Sequence, residues 1–199
     1  MLKIENLSFS YGNEQVLQDL SLTLPDRGVF AIMGPSGCGK STLFALISGL
    51  LKPSSGKIEL DAKRIAFAFQ DARLMPWMTA AENVNFVLGG KKSTLERAER
   101  ALEDLGLGDA TYKYPDELSG GMQKRVSLAR AFAFEGDLFL LDEPFTGLDA
   151  NTKAGITQKV KEIGKKSLVL LITHDIGEAN DCAENVFNFN GLNRKPTAK

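Results

Sequence analysis

The stretch GPSGCGKST, Gly34 to Thr42, has the spacing GxxxxGK followed by Ser and comes directly after the apolar run VFAIM, residues 29–33. Glycines at this spacing let successive backbone N–H groups curl around phosphate oxygens, and a helix starting at the lysine adds partial positive charge. In that frame Lys40 reaches the β and γ phosphates and Ser41 supplies an oxygen ligand to Mg²⁺. Gly34, Pro35, Ser36, Gly37, Cys38, Gly39, Lys40, Ser41 and Thr42 are therefore read as a cradle for a nucleoside triphosphate. Cys38 sits within this loop near a helix N-terminus, a place where a thiol can be reactive. A small filler residue is the plainer reading of it.

A second constellation is LFLLDEP, Leu138 to Pro144, an apolar strand ending in two carboxylates. Asp142 at the strand end can hold Mg²⁺ through water, and Glu143 can face the γ phosphate and polarise an attacking water. Acidic pairs at strand ends are ordinarily solvated turn residues, and it is the phosphate loop upstream that reverses this reading. The single histidine, His174, follows the apolar run SLVLLIT. That places it at the carboxyl edge of a parallel sheet, where ligands bind, in reach of a γ phosphate or a water. LSGG, Leu118 to Gly121, opens a further helix and offers the Ser119 hydroxyl with the Gly120 and Gly121 N–H groups, a second anion site of the same physical type.

The elements that must carry these groups follow from hydrophobic period. Residues 2–10 and 16–24 alternate as half-buried strands do, while 29–33, DLFLLDE and SLVLLITHD are continuous apolar runs expected of buried strands. A helix is predicted from Lys40 to about Leu51. GKIEL and RIAFAF read as strands joined by the turn DAK, and NVFNFN as a last short one. After Gln70 the pattern turns helical: TAAE, Thr79 to Glu82, and STLE, Ser93 to Glu96, read as capping boxes, followed by a helix through GGMQKRVSLARAFAF. NTKAGITQKVKEIG is a further helix. The tail GLNRKPTAK is polar and expected to be loose. Strands alternating with helices give an α/β fold whose mixed, mainly parallel sheet is covered on both faces, and the phosphate loop makes a P-loop NTPase the expected fold class. An antiparallel start and a helical subdomain inserted at about 71–136 complete one domain over 1–199.

Composition narrows the partners. Lys plus Arg, 24, nearly balance Asp plus Glu, 25, so no global positive field would gather nucleic acid or an anionic membrane. The two cysteines lack CxxC spacing and one histidine cannot form a metal cluster, which fits a reduced cytosolic chain. The N-terminus alternates polar and apolar residues and is not expected to be a signal peptide, and no apolar segment approaches the roughly 20 residues that span a bilayer.

With the phosphate loop, a Gln after a strand, LSGG, an apolar strand ending in Asp-Glu and a His after the next strand, residues 1 to about 190 resemble an ATP-binding-cassette ATPase subunit. The resemblance implies ATP and Mg²⁺ as ligands. It implies that Tyr11 stacks on adenine, that Gln70 meets Mg²⁺ and the attacking water, that His174 is the switch histidine, and that TGLD passes Asp149 across a dimer interface. LSGG of one copy would then close over the γ phosphate held by a second copy or a homologous subunit. Met122 stands where this family's signature more commonly has glutamine. Met75, Trp77 and Met78, in LMPWM, are either a small local core or anchors for a membrane-spanning subunit, and the LMPW wording is similar to the nitrate, sulfonate and taurine importer group. The resemblance implies a cytoplasmic subunit on the inner face of the membrane, acting with a membrane-spanning chain and a separate solute-binding protein. A soluble mechanical ATPase of the same superfamily, working on a non-membrane partner, is the other reading.

Overall fold

The computed structural model describes residues 1–189 and 197–198 of the chain. Strands β1 (Leu2–Tyr11), β2 (Glu14–Leu24) and β4 (Ser55–Leu60) form an antiparallel sheet in the order β2-β1-β4. A second sheet is built from β3 (Gly28–Met33), β5 (Ile65–Ala68), β6 (Leu138–Asp142), β7 (Leu168–Ile172), β8 (Asn185–Asn188) and β9 (Thr197–Ala198). Its order is β5-β6-β7-β3-β8-β9, parallel except for β9. GKIEL and RIAFAF, close neighbours in sequence, thus enter different sheets.

The parallel strands are apolar throughout because both faces are covered. Val29, Ala31, Phe139, Leu141, Val169 and Leu171 face one core, with α4 (Gly120–Ala133) and α5 (Ala150–Gly164). Their alternates Phe30, Ile32, Leu138, Leu140, Leu168 and Leu170 face the other core, shared with α1 (Lys40–Ile47) and the antiparallel sheet. Period two along each strand thereby sorts one apolar run into two cores.

Between β5 and β6, helices α2 (Ala80–Val87), α3 (Lys92–Glu103) and α4 pack on one another. Thr79 caps α2 as expected: its hydroxyl accepts from the Glu82 N–H at 3.3 Å, and the Glu82 carboxylate accepts from the Thr79 N–H at 2.8 Å. Such a cap is worth about 1 kcal/mol. STLE does not form the expected box. α3 begins at Lys92, and the Thr94 hydroxyl fixes the corner by donating toward Asn85 Oδ1 at 2.6 Å and the Lys91 carbonyl at 2.8 Å. α1 also stops earlier than expected, at Ile47, because Gly49 adopts φ +77° and its N–H returns to the Leu46 carbonyl. In the tail, Thr197 and Ala198 pair with Asn188 and Phe187 as a strand, contrary to the expectation of a loose end. The rest of the tail lies outside the described residues.

Candidate nucleotide site

Three parallel strands end at one edge, and each hands over a functional segment there: β3 the loop 34–39, β6 Asp142 and Glu143, β7 Thr173 and His174. Within the loop a side chain would clash at two positions. A Cβ on Gly34 would lie 2.0 Å from the Phe189 carbonyl oxygen, and one on Gly39 2.7 Å from Val16 Cγ1. Gly39 is also the left-handed N-cap of α1, at φ +98°, and no side chain among the described residues caps that terminus, which suits its N–H groups to an anion. The Lys40 ammonium lies over the loop, donating to the carbonyls of Gly34 at 2.8 Å and Pro35 at 2.9 Å. Cys38 Sγ fits between Lys40 Nζ, 3.7 Å away, and the Phe189 carbonyl at 3.4 Å, consistent with the filler reading.

Asp142 is buried at the end of β6. Burial pushes its carboxyl above the usual carboxylate range, while a hydrogen bond from Ser41 and the charges of Lys124, Lys40 and Arg73 oppose that rise. Glu143 adopts φ +50°, a left-handed conformation uncommon outside glycine, held by its N–H on the Ile172 carbonyl at 3.0 Å. This turn brings Glu143 Oε2 within 3.0 Å of His174 Nδ1, and the Thr146 hydroxyl lies 3.4 Å from the same oxygen. His174 is 72% exposed and Glu143 13%, so the imidazole stands over a nearly buried carboxylate at the open edge. Behind it, the buried Thr173 hydroxyl donates to Glu178 Oε2 at 2.6 Å, Lys153 of α5 donates to Glu178 Oε1 at 2.7 Å, and Asp175 caps α6 (Ile176–Cys182).

The oxygen-only pair Ser41 and Asp142 suits Mg²⁺, which takes few protein ligands and keeps waters and phosphate oxygens for the rest. A buried carboxylate whose charge is disfavoured gains from a nearby cation. No cluster of three or more His, Cys, Asp or Glu able to hold a metal occurs among the described residues. The exposed Gln70 side chain follows β5 in a cleft of about 480 Å³ with Gly120, Gln123 and Thr146.

Other expected residues lie apart from this cluster. Tyr11 is exposed at the end of β1, edge-on to Phe9 with ring centroids 4.8 Å apart, and β2 touches Gly39 through Val16. Asp149 caps α5, accepting from the Thr152 N–H at 3.0 Å and hydroxyl at 2.6 Å, bonds that hold its carboxyl below the usual range. Ser119 caps α4 by accepting from the Met122 N–H at 3.3 Å, which leaves its O–H free to donate. No hydrogen bond among the described residues joins Ser119, Gly120 or Gly121 to the loop 34–42. Met122 is half-buried against the core, whereas Gln123 ties the preceding turn through the carbonyls of Pro115 at 2.7 Å and Leu118 at 3.3 Å.

Two side chains escaped the sequence reading. Lys124, 6% exposed, donates to three backbone carbonyls around this edge, and Asn83, fully buried, holds the loop 75–79 through Met75, Met78 and Thr79. Lys124 shares a stripe of α4 with Leu128 four residues on, so a lysine at core spacing was the available signal.

A glycine-rich loop closing one strand, Asp-Glu closing a second, His after a third and LSGG opening a helix define a P-loop ATPase of the cassette type. Residues 17–146 match the ABC transporter family. Similar proteins include the aliphatic sulfonates import ATP-binding protein SsuB of Zymomonas mobilis, 39% identical over 93% of this chain and 80% of the relative. The taurine import ATP-binding protein TauB of Escherichia coli O157:H7 is 43% identical over 90% of this chain and 75% of the relative. Among solved structures, the dimeric post-hydrolysis ATP-binding cassette MJ0796 bound to ADP and Pi has a TM-score of 0.90 at 29% identity, covering 100% of this chain and 98% of that one. The chain belongs to the ABC transporter family, as one of its ATPase cassettes. No helix among the described residues is long and apolar enough to cross a membrane.

Proposed function

We propose that this chain hydrolyses ATP as the energising subunit of a bacterial importer, and that two copies, or one copy and a homologue, share the chemistry. The observation that carries the reading is the contact of His174 with Glu143 beside the Lys40, Ser41 and Asp142 group. The loop 34–42 binds the triphosphate, with Lys40 leaving its carbonyls for the β and γ oxygens. Tyr11 supports the adenine. Ser41 and Asp142, with Gln70, would hold Mg²⁺, which neutralises phosphate charge. Glu143 orients and polarises the attacking water, and His174 sets the carboxylate's direction and reaches toward the γ phosphate.

Half of each site comes from Ser119, Gly120 and Gly121 of the other copy, with Asp149 crossing between copies. Gly121 has a local steric reason to be glycine, since a Cβ would lie 3.1 Å from the Gly147 carbonyl. Gly120 shows none: among the described residues nothing lies within 4 Å of where its Cβ would be, on an exposed helix start. A glycine open to solvent at a helix N-terminus suits close approach of a phosphate.

The importer reading rests on the relatives, the two named above being import subunits for aliphatic sulfonates and taurine, and this favours it over a soluble mechanical ATPase. By the same support, the proposed cargo is a small sulfonate anion delivered by a separate solute-binding protein. The proposed location is the cytoplasmic face of the membrane, bound to a membrane-spanning subunit, and no role with nucleic acid is proposed. In the test, Ser119→Arg leaves ATP binding at 34–42 within about threefold and lowers hydrolysis at least about a hundredfold by filling the half-site. Unchanged hydrolysis contradicts the shared site.

A further inference from the structure

Lys124 is buried in the helix that begins at Ser119, on the stripe that otherwise faces the core. Burying an ammonium costs several kcal/mol unless its hydrogen bonds are made good. Here all three N–H donors have acceptors: the carbonyls of Phe69 at 3.1 Å, Gln70 at 3.0 Å and Asp142 at 3.0 Å. These carbonyls belong to two segments, the exits of neighbouring parallel strands β5 and β6, which are in register at Ala68 and Leu141. Arg130, six residues further along α4, takes the next carbonyls of the same segment, Ala72 and Arg73, each at 3.0 Å. α4 therefore grips the backbone on both sides of Asp71, but of the two cations Lys124 alone reaches the Asp142 strand end.

We propose that Lys124 is a positioning residue for hydrolysis, locking the backbone of Gln70 to that of Asp142 and both to the helix that carries Ser119, Gly120 and Gly121. One ammonium then ties the helix that offers a half-site to one ATP to the backbone of the Gln70 and Asp142 that serve another. The inference rests on the site roles proposed above. Methionine at 124 fills the volume and donates nothing, which frees three buried carbonyls. Glutamine restores two N–H donors on a shorter arm.

Both variants are made in the full chain and compared with Glu143→Gln. For Lys124→Met, binding of a fluorescent ATP analogue stays within about threefold, kcat falls at least about tenfold, and amide exchange over 69–74 accelerates at least about tenfold. Lys124→Gln recovers part of both losses. A kcat within about twofold of native in a folded variant overturns the proposal, and so does a loss of kcat without faster exchange over 69–74. If Lys124→Met does not fold, Lys124→Gln decides: kcat reduced about threefold at unchanged KM supports the tie, and native kcat overturns it. Native turnover by Glu143→Gln would instead overturn the site reading, whereas an inactive Glu143→Gln beside a fully active Lys124→Met overturns the lysine's role alone.

Discussion

His174 Nδ1 and Glu143 Oε2 lie 3.0 Å apart, joining the exits of two adjacent parallel strands across 31 residues of sequence. The bond orients a carboxylate whose own backbone is held in a left-handed turn, so losing the imidazole frees Glu143 without disturbing the loop 34–42. His174→Ala is expected to lower kcat at least about tenfold and to leave KM for ATP within about threefold. Steady-state kinetics check this. Equal changes in both would mean that His174 serves binding.

Asp142 is expected to show a stability cost and a metal function in one carboxyl. Because burial raises its pKa in the folded chain, its ionisation disfavours folding. The favourable contribution is complete below the unfolded value, about 4, and is lost as pH rises through the raised folded value. Mg²⁺ requires the ionised form, so proton and Mg²⁺ compete for Asp142 and the apparent affinity for Mg²⁺ should fall as pH is lowered. Asp142→Asn should remove this carboxyl's contribution to the pH dependence of nucleotide-free melting and lower Mg²⁺-dependent turnover by on the order of a hundredfold. Melting curves across pH with and without Mg²⁺-ATP measure both.

Trp77 is 71% exposed on a loop whose backbone Asn83 holds from below, which removes it from the local core; the importer proposal makes it an anchor for the membrane-spanning subunit. Trp77→Ala should shift melting by less than about 2 °C, leave basal hydrolysis near native and weaken co-purification with the membrane-spanning subunit. Asn83→Ala, which strands buried backbone groups of Met75, Met78 and Thr79, should destabilise by about 1–3 kcal/mol. Denaturant melts separate the two.

The sheet was legible because β3, β6 and β7 are unbroken apolar runs, and the order of the motifs along the chain named the edge where they meet. The Thr79 cap was legible because it is local. What sequence could not give was the meeting of residues far apart in the chain. The His174 to Glu143 bond depends on strand adjacency and on a positive φ at a non-glycine residue. STLE misled because a tertiary bond from Thr94 to Asn85 overrode a local cap. Lys124 was hidden for a related reason: its acceptors are backbone carbonyls, which no residue type announces.

The shared site is tested most directly by the mass of Glu143→Gln in Mg²⁺-ATP, followed by size-exclusion chromatography with light scattering. A carboxamide at 143 keeps the shape of the site but cannot take a proton from water, so ATP should persist and hold two chains together. The expected species has twice the chain's 21.6 kDa in ATP and reverts to one chain in ADP. A variant that turns ATP over at the native rate would contradict the account, and one that stays monomeric in saturating ATP would contradict the pairing of two copies.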